Sequence, residues 1–287
     1  MDSRLQTFLT LCKVLNYRIT AEELHMTQPA VTKQIQSLEQ LYNTKLFIYD
    51  GKKLNKTENC RILEEYCESL MYNYNEIKKE LQSEKETVLR IGATKTIGDY
   101  VLNPLILKYL SNDKNSLSLT VDNTENLLKM LDSSKIDFAV AEGFFSKKKY
   151  NSILFKKADF VGICPKNHSF AGKTIDVDEI LKETLIVRED GSGTRDILEH
   201  DLYSAGYRIS DFKKTIFISS FKLIRELVEN GIGISFVYKA VIGENDRISC
   251  FHVKNFRSFH EFNIVSLKNT NSKKYIKAFF GKSIMGE

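Results

Sequence analysis

Apolar positions near the start of the chain recur every three or four residues, which is the spacing of one face of a helix. Within residues 3–15 these positions are Leu5, Phe8, Leu9, Cys12 and Leu15. The pattern predicts a first helix with a buried face. A short helix capped by Thr20 is expected next, running through Leu24, with Met26 and Thr27 in a turn.

A longer helix is predicted from Gln28 to Leu41. Pro29 suits its first turn, because the N–H that proline lacks would have no helical partner there. The inward-facing residues are expected to be Val31, Ile35, Leu38 and Leu41. Burying this face leaves polar side chains on the opposite side of the helix.

The segment after this helix has the features of a β-hairpin. Residues 46–48 are apolar and can pair with a return strand at Leu54, around a turn at residues 50–51. The hairpin carries three lysines, Lys52, Lys53 and Lys56. Helix, helix, turn, helix and basic hairpin is the order of a winged helix-turn-helix, which we predict for residues 1–59.

Residues 60–87 are predicted to form a long linker helix. Its apolar seam alternates steps of three and four: Cys60, Leu63, Cys67, Leu70, Tyr74, Ile77 and Leu81. A narrow seam on a helix otherwise rich in Glu and Lys favours a partner helix. The residues predicted to mediate dimerisation are Leu63, Leu70, Tyr74 and Ile77. Packing of this helix within its own chain is the alternative.

From residue 88 onward, strand-like runs alternate with helical patterns. The runs are VLRIGA, SLSLTV, IDFAVAE, FVGICP, TLIVRE, TIFIS, GISFVY and FNIVSL. This alternation predicts βα units and mainly parallel sheets. We predict an effector-binding domain over 88–287, with one lobe formed by 88–161 and 268–287 and the other by 162–267. The fold class is therefore α plus α/β, with the α/β part in two lobes.

Composition excludes several classes of protein. The hydrophobic (42%) and charged (28%) fractions are those of a globular chain, and a net charge of +5 is too small to identify a nucleic-acid binder. The sequence lacks an apolar run long enough for a membrane span and lacks a signal-peptide pattern, so we expect a cytoplasmic protein. Five scattered cysteines and five histidines without ligand spacing predict no disulfide framework, metal or cofactor.

Five sequence blocks together resemble the LysR-type transcriptional regulators. FLTLCKVLNYRITAEELHMTQPAVTKQIQSLEQLYNTKLF is similar to their DNA-binding domain, in which Gln-Pro-Ala-Val-Ser/Thr opens the recognition helix. IGATKTIGDYVLNPLI, DFAVAEG, REDGSGTRDILEHDL and SSFKLIRELVENGIGISFV match the effector-domain landmarks in order. The resemblance covers nearly the whole chain, and the GSGTR loop is similar to a branch that includes regulators of sulfur and carbon assimilation.

The resemblance implies that the helix from Gln28 enters the major groove of promoter DNA. Gln and Asn side chains can pair with adenine edges, and Thr or Ala can meet a thymine methyl. The expected DNA-contacting residues are Gln28, Pro29, Ala30, Thr32, Lys33 and Gln36, with Lys52 and Lys53 on the wing. The alternative is that Thr27 and Gln28 only cap the helix and that Lys33 is a solvated charge.

The wing departs from the family pattern at two places. An Arg usually follows the Leu-Phe pair by two residues, where this chain has Tyr49, and Thr-Glu-Ala-Gly usually ends the wing, where it has residues 57–60, TENC. We expect the phosphate contact of that Arg to be lost or taken over by Lys52, Lys53 and Lys56, which would make DNA affinity modest.

The two lobes resemble those of periplasmic binding proteins, with a ligand cleft between them. The expected ligand-binding residues are Thr94, Lys95, Thr96, Glu142, Gly193, Thr194, Arg195 and Ser220. Hydroxyls, helix N-termini and Arg195 suit a small anionic effector, whereas Glu142 would favour mixed charge. The hydroxyls can also be plain helix caps. The family resemblance implies homodimers that assemble into a homotetramer and change shape on a promoter when the effector binds.

Two other classes of function could use βα lobes of this kind. An enzyme is disfavoured, because the chain has no GxSxG, no GxGxxG opening a βα unit and no metal-ligand spacing. A cytoplasmic small-molecule binding protein without promoter function remains the alternative, since the C-terminal lobes alone would fit it. Binding of small anions without binding of promoter DNA would favour that alternative.

Overall fold

The computed structural model describes residues 2–81, 88–243, 246–281 and 284. It divides into two compact units. The N-terminal unit contains the described residues up to 81, together with 132–134 and 268–270, and the second unit contains the rest. Within these described residues, no helix is both long and apolar enough to cross a bilayer.

The N-terminal unit has the predicted order of helices and hairpin. Its elements are α1 (Ser3–Val14), α2 (Tyr17–Glu23), α3 (Gln28–Leu41), β1 (Phe47–Asp50), β2 (Lys53–Lys56) and α4 (Glu58–Leu81). Phe8 of α1, Val31 of α3 and Leu46 before β1 are buried in one core. The helix-turn-helix and its basic wing are thus confirmed as a fold.

Two details of the N-terminal prediction are wrong. The cap of α2 is Asn16, whose side-chain oxygen accepts from the N–H groups of Arg18 and Ile19 at 3.0 and 3.1 Å. Thr20 lies inside α2, where its hydroxyl donates to the Asn16 carbonyl at 2.8 Å. Leu41 is 60% exposed, because α3 ends there and Leu38 already closes its buried face.

The first half of the apolar seam of α4 is packed in the N-terminal core, whereas the second half is exposed to solvent. Cys60 and Cys67 are buried in the N-terminal core, and Leu63 packs partly buried against it. Beyond them the seam is open, with Leu70 50% and Ile77 55% exposed. Self-packing therefore describes the first half of the seam, and Leu63 is a core residue more than a surface one.

The second unit is an α/β domain whose strands lie in the order β4-β3-β5-β12-β6-β10-β8-β9, with β11 paired to β6 and β7 paired to β11. The strands are β3 (Val88–Thr94), β4 (Ser116–Asp122), β5 (Phe138–Ala141), β6 (Tyr150–Pro165), β7 (Thr174–Ile175), β8 (Thr184–Val187), β9 (Lys214–Phe217), β10 (Ile234–Tyr238), β11 (Ile248–Val253) and β12 (Phe259–Leu267). The helices are α5 (Lys95–Tyr100), α6 (Asn103–Leu110), α7 (Thr124–Asp132), α8 (Val177–Ile180), α9 (Gly193–Ser204), α10 (Phe221–Glu229) and α11 (Lys273–Phe280).

Parallel strands form the centre of each lobe. In the first lobe β3 pairs in parallel with β4 and β5, and in the second β8 pairs in parallel with β9 and β10. All residues of β5 and β10 are buried, as expected where helices cover both faces of a sheet. Ligand sites in such sheets lie at the carboxyl ends of the strands.

Antiparallel strands carry the chain between the lobes, which the sequence did not predict. β6 pairs with β12 up to Asp159 and with β10 from Phe160 onward. β12 pairs with β5, so the return to the first lobe falls at about Phe259 instead of residue 268. In the first half of β6, exposed residues mostly alternate with partly buried ones, and the lysines there obscure the strand pattern. The short strands β7 and β11 were not predicted from the sequence either.

A pair of substitutions tests the packing of α3. Leu38→Ala should lower the free energy of unfolding by about 2–5 kcal/mol, because it leaves a cavity in the core. Leu41→Ala should change it by less than about 0.5 kcal/mol, since that side chain is mostly in solvent. Denaturant unfolding of the two variants measures both values, and similar losses would contradict the observed burial.

Candidate DNA interface and effector cleft

The N-terminal turns of α3 present a polar face to solvent. Thr27 caps the helix by accepting from the Ala30 N–H at 3.4 Å, and Pro29 occupies its first turn. Burial of Val31, Ile35 and Leu38 on one side fixes the rotation of the helix. The packing of this stripe therefore determines which residues of α3 lie on the opposite, solvent-facing side.

The predicted DNA-contacting residues of α3 differ in exposure. Gln28, Pro29, Lys33 and Gln36 are exposed. Ala30 and Thr32 are half-buried, and the Thr32 hydroxyl donates to the Gln28 carbonyl at 3.1 Å. Because the hydroxyl proton of Thr32 is used within the helix, its methyl group and oxygen lone pairs are what remain for a base.

The wing has two exposed lysines and one that is already paired. Lys52 and Lys53 are exposed, as is Tyr49, at 67%. The Lys56 ammonium lies 2.8 Å from both carboxylate oxygens of Glu64. Lys56 would therefore have to leave Glu64 to take over a phosphate contact.

Glu39 positions the wing, a role that the sequence analysis did not assign. One carboxylate oxygen accepts from the N–H of Leu46 at 2.9 Å, and the other pairs with the Lys45 ammonium at 2.7 Å. These bonds attach α3 to the chain entering β1. The only signal in the sequence was that Glu39 directly follows the inward-facing Leu38.

In the effector domain, three predicted residues meet at one carboxyl group. The Thr94 hydroxyl donates to Oε2 of Glu142, and the Thr194 hydroxyl donates to its Oε1 at 3.2 Å. Thr94 ends β3 and Glu142 follows β5 in the first lobe, whereas Thr194 opens α9 in the second lobe. All three side chains are buried.

Glycines allow the two lobes to approach closely at this point. Gly143 has φ +92°, a conformation that side chains disfavour. A Cβ on Gly193 would lie 2.4 Å from the Glu142 carbonyl oxygen, so only glycine fits there. The Thr124 hydroxyl donates to the same carbonyl at 2.9 Å. The absence of a side chain at Gly193 thus allows α9 to contact the backbone at Glu142, and a side chain at this position would separate the lobes.

The cations near the cleft are engaged by carboxylates. Arg188, which the sequence analysis missed, is buried and pairs with Glu189 through Nε at 2.7 Å and Nη2 at 2.9 Å. Lys95 donates to Glu189 at 3.2 Å and to the Ser219 carbonyl at 3.0 Å. Charged residues directly after the apolar run of β8 were the signal for Arg188 and Glu189.

Arg195 and Ser220 are occupied by structural contacts. Arg195 pairs with Asp190 at 2.5 Å and with Glu199 at 2.8 Å. Ser220 caps α10 by accepting from the Leu223 N–H at 3.4 Å. Ser220 thus serves as the N-cap of α10, and Arg195 would have to leave two carboxylates to meet a ligand.

Two buried hydroxyls near the cleft have no hydrogen-bond partner among the described residues, those of Thr96 and Tyr238. Both side chains are fully buried. Burial raises the pKa of Tyr238 well above its ordinary value, and the negative charge of Glu142 raises that pKa further.

Burial also raises the pKa of Glu142. The hydrogen bond from Thr94, the positive charge of Arg188 and the hydrogen bond from Thr194 each lower that pKa, but they do not offset the loss of hydration. The carboxyl group is therefore held in a position where its charged form is disfavoured.

A helix-turn-helix with an exposed polar face, joined to a two-lobed α/β domain, defines a DNA-binding regulator with an effector domain. Residues 3–61 match the family model described as "Bacterial regulatory helix-turn-helix protein, lysR family", and residues 82–281 match "LysR substrate binding domain". The chain therefore belongs to the LysR family of transcriptional regulators, which are not enzymes.

Similar proteins span nearly the same length. The chain is 30% identical to the regulator CysL of Bacillus subtilis over 94% of this chain and 93% of that protein. It is 28% identical to the RuBisCO operon transcriptional regulator of Allochromatium vinosum, over 82% and 78%. The fold is similar to full-length BenM, with a TM-score of 0.61, 17% identity and coverage of 100% of this chain and 96% of that one.

The raised pKa of Glu142 predicts a dependence of stability on pH. Its protonated form favours the folded state, so this contribution is complete below the ordinary pKa of 4.5 and is lost as the pH rises through the raised folded-state pKa. The free energy of unfolding of wild type minus that of Glu142→Gln should therefore fall with rising pH. Unfolding series of both proteins measure the difference, and a constant difference would contradict it.

Proposed function

We propose that this LysR-family regulator reads promoter DNA with the first turns of α3, as one half of a paired molecule, and responds to a small acid-bearing effector between its two lobes. The observation that carries the proposal is the exposed polar face of α3, set opposite a fully buried stripe. The proposed site of action is the cytoplasm.

The proposed recognition uses two kinds of contact. Gln28 and Gln36 can pair with adenine edges, and Lys33 can reach a guanine or a phosphate. Lys52 and Lys53 on the wing can meet the backbone, and each neutralised phosphate makes binding weaken as salt rises. Base contacts would then set the sequence preference, whereas the wing would mainly set the affinity.

Pairing of two chains is proposed to use the open side of α4. Its exposed apolar residues recur at steps of three and four: Ile62, Tyr66, Leu70, Tyr74, Ile77 and Leu81. Such a stripe left in water is unfavourable and suits a second α4 helix. This proposal keeps Leu70, Tyr74 and Ile77 as dimer residues and assigns Leu63 to the domain core. A tetramer would require further contacts between effector domains.

The effector cleft is proposed at the carboxyl ends of β3, β5 and β8. Supporting observations are the hydroxyls of Thr94, Thr96 and Thr194 and the buried Arg188 guanidinium. Hydroxyls and a guanidinium favour an effector with an acid group. A ligand that binds one arrangement of the lobes better than another shifts the equilibrium between them, and DNA affinity with it.

Substitutions on α3 test the DNA interface. Gln28→Ala and Gln36→Ala should each weaken specific promoter binding by about 1–3 kcal/mol, the value of a lost bidentate base contact. Gel shift and footprinting upstream of the neighbouring gene measure the loss. Gln40→Ala is the matched control, since Gln40 is also exposed but lies in the last turn of α3.

Normal promoter affinity in both test variants would remove this helix from the interface. A folded wild-type chain that binds small anions but leaves no footprint at low salt would favour the alternative function, a small-molecule binding protein without a promoter.

Charge on the open side of α4 tests the pairing. Leu70→Glu and Ile77→Glu should give monomers, because a carboxylate cannot be buried in an apolar helix pair without a partner. Sedimentation measures the mass. Asn75→Glu adds the same charge at an exposed position outside the stripe and should leave the dimer intact. If both test variants still sediment as dimers, the stripe does not form the interface.

A further inference from the structure

The Glu142 carboxyl group takes up the hydrogen-bond donors that an acidic effector would need. It accepts one hydroxyl from each lobe, Thr94 from the first and Thr194 from the second, and its side chain is almost completely buried. The protein's own side chain therefore joins the two lobes where the proposed effector should lie.

Two features of the surroundings favour negative charge at this carboxyl group, although burial opposes it. The positive end of α9, a helix of twelve residues, begins at Gly193, and the positive charge of Arg188 stabilises the charged form of Glu142. The Tyr238 hydroxyl is fully buried, has no partner among the described residues and responds to the charge of Glu142. An oxyanion bound here would meet the two threonine hydroxyls that the carboxyl group now uses, with the positive charge of Arg188 and the start of α9 nearby.

The position is costly for Glu142 itself. Burial disfavours its charged form by more than its hydrogen bonds and Arg188 favour it, whereas an exposed Glu142 would regain its hydration. Gly143, with φ +92°, follows it directly and places Glu142 at a sharp turn after β5. Exchange of this carboxyl group for an external anion would return Glu142 to water and keep the donors paired, at the expense of the external anion's own hydration.

We propose that Glu142 is a built-in competitor of the effector: its carboxyl group closes the cleft of the effector-free regulator, and a small oxyanion, or a ligand that carries one, binds by displacing it. This inference rests on the proposed effector cleft and adds its regulation. Glu142 acts on specificity as well, since only an anion able to replace both hydroxyl contacts gains entry.

Competition by a tethered group lowers the apparent affinity of every anion by the fraction of molecules in which the site is free. Removing the competitor should therefore reveal tighter binding. The test uses titration calorimetry of the full chain without DNA, with sulfate as the probe. Glu142→Ala removes the group, and Glu142→Gln keeps its size but not its charge.

We expect Glu142→Ala to bind sulfate at least about tenfold more tightly than wild type, with Glu142→Gln between the two. Acetate, which is close in size to the removed group, should raise the melting temperature of Glu142→Ala and leave that of wild type unchanged. Glu125→Gln is the matched control: Glu125 is exposed near the same loop but does not contact Thr94 or Thr194, so this variant should behave as wild type.

Equal sulfate affinity in wild type and both Glu142 variants would overturn the proposal, and so would a folded Glu142→Ala that does not respond to acetate. Should Glu142→Ala not fold, the sulfate affinity of Glu142→Gln decides. These measurements are independent of promoter binding. A blank footprint would therefore remove the regulator function and leave this inference standing, whereas unchanged anion affinity would do the reverse.

Discussion

Strand β6 passes through both lobes of the effector domain, pairing with antiparallel β12 in the first lobe and with β10 in the second, and the geometry of the cleft depends on it. The register of β12 with β6 runs from Phe259 opposite Asp159 to Leu267 opposite Tyr150. β6 then continues into the second sheet beside β10, so one strand carries both lobes. This continuous pairing holds the ends of β5 and β8 close enough for Glu142 and Thr194 to share a hydrogen bond.

The sequence predicted what local periodicity and helix chemistry determine. The bounds of α3 agree with the prediction, because Thr27, Pro29 and the buried stripe act within a few turns of chain. The hydrogen bond between Glu142 and Thr194 could not be predicted. The two residues are far apart in the sequence, and the strand pairings that bring them together lie in other parts of the chain. Each residue was expected in the cleft, but their mutual contact was not.

The ion-pair partners of charged side chains also could not be predicted from the sequence. Lys56 was expected to meet phosphate and instead pairs with Glu64, and Arg195 pairs with Asp190 and Glu199. Each cation has several carboxylates within reach along the chain, and only the folded backbone selects among them. The same holds for the apolar seam of α4, where one spacing covers both the buried Cys60 and the exposed Ile77.

The proposed DNA interface and the proposed effector cleft differ in how their polar side chains are solvated. On α3, packing leaves Gln28, Lys33 and Gln36 in water, so their hydrogen bonds to solvent can be exchanged for base contacts at little cost to the fold. In the cleft the hydroxyls of Thr94 and Thr194 are out of water, and leaving them unpaired would be unfavourable. A buried site of this kind is stable only while something fills it. Glu142 fills it from within the chain by accepting from both hydroxyls, and under the proposal above an entering anion would have to replace these two contacts.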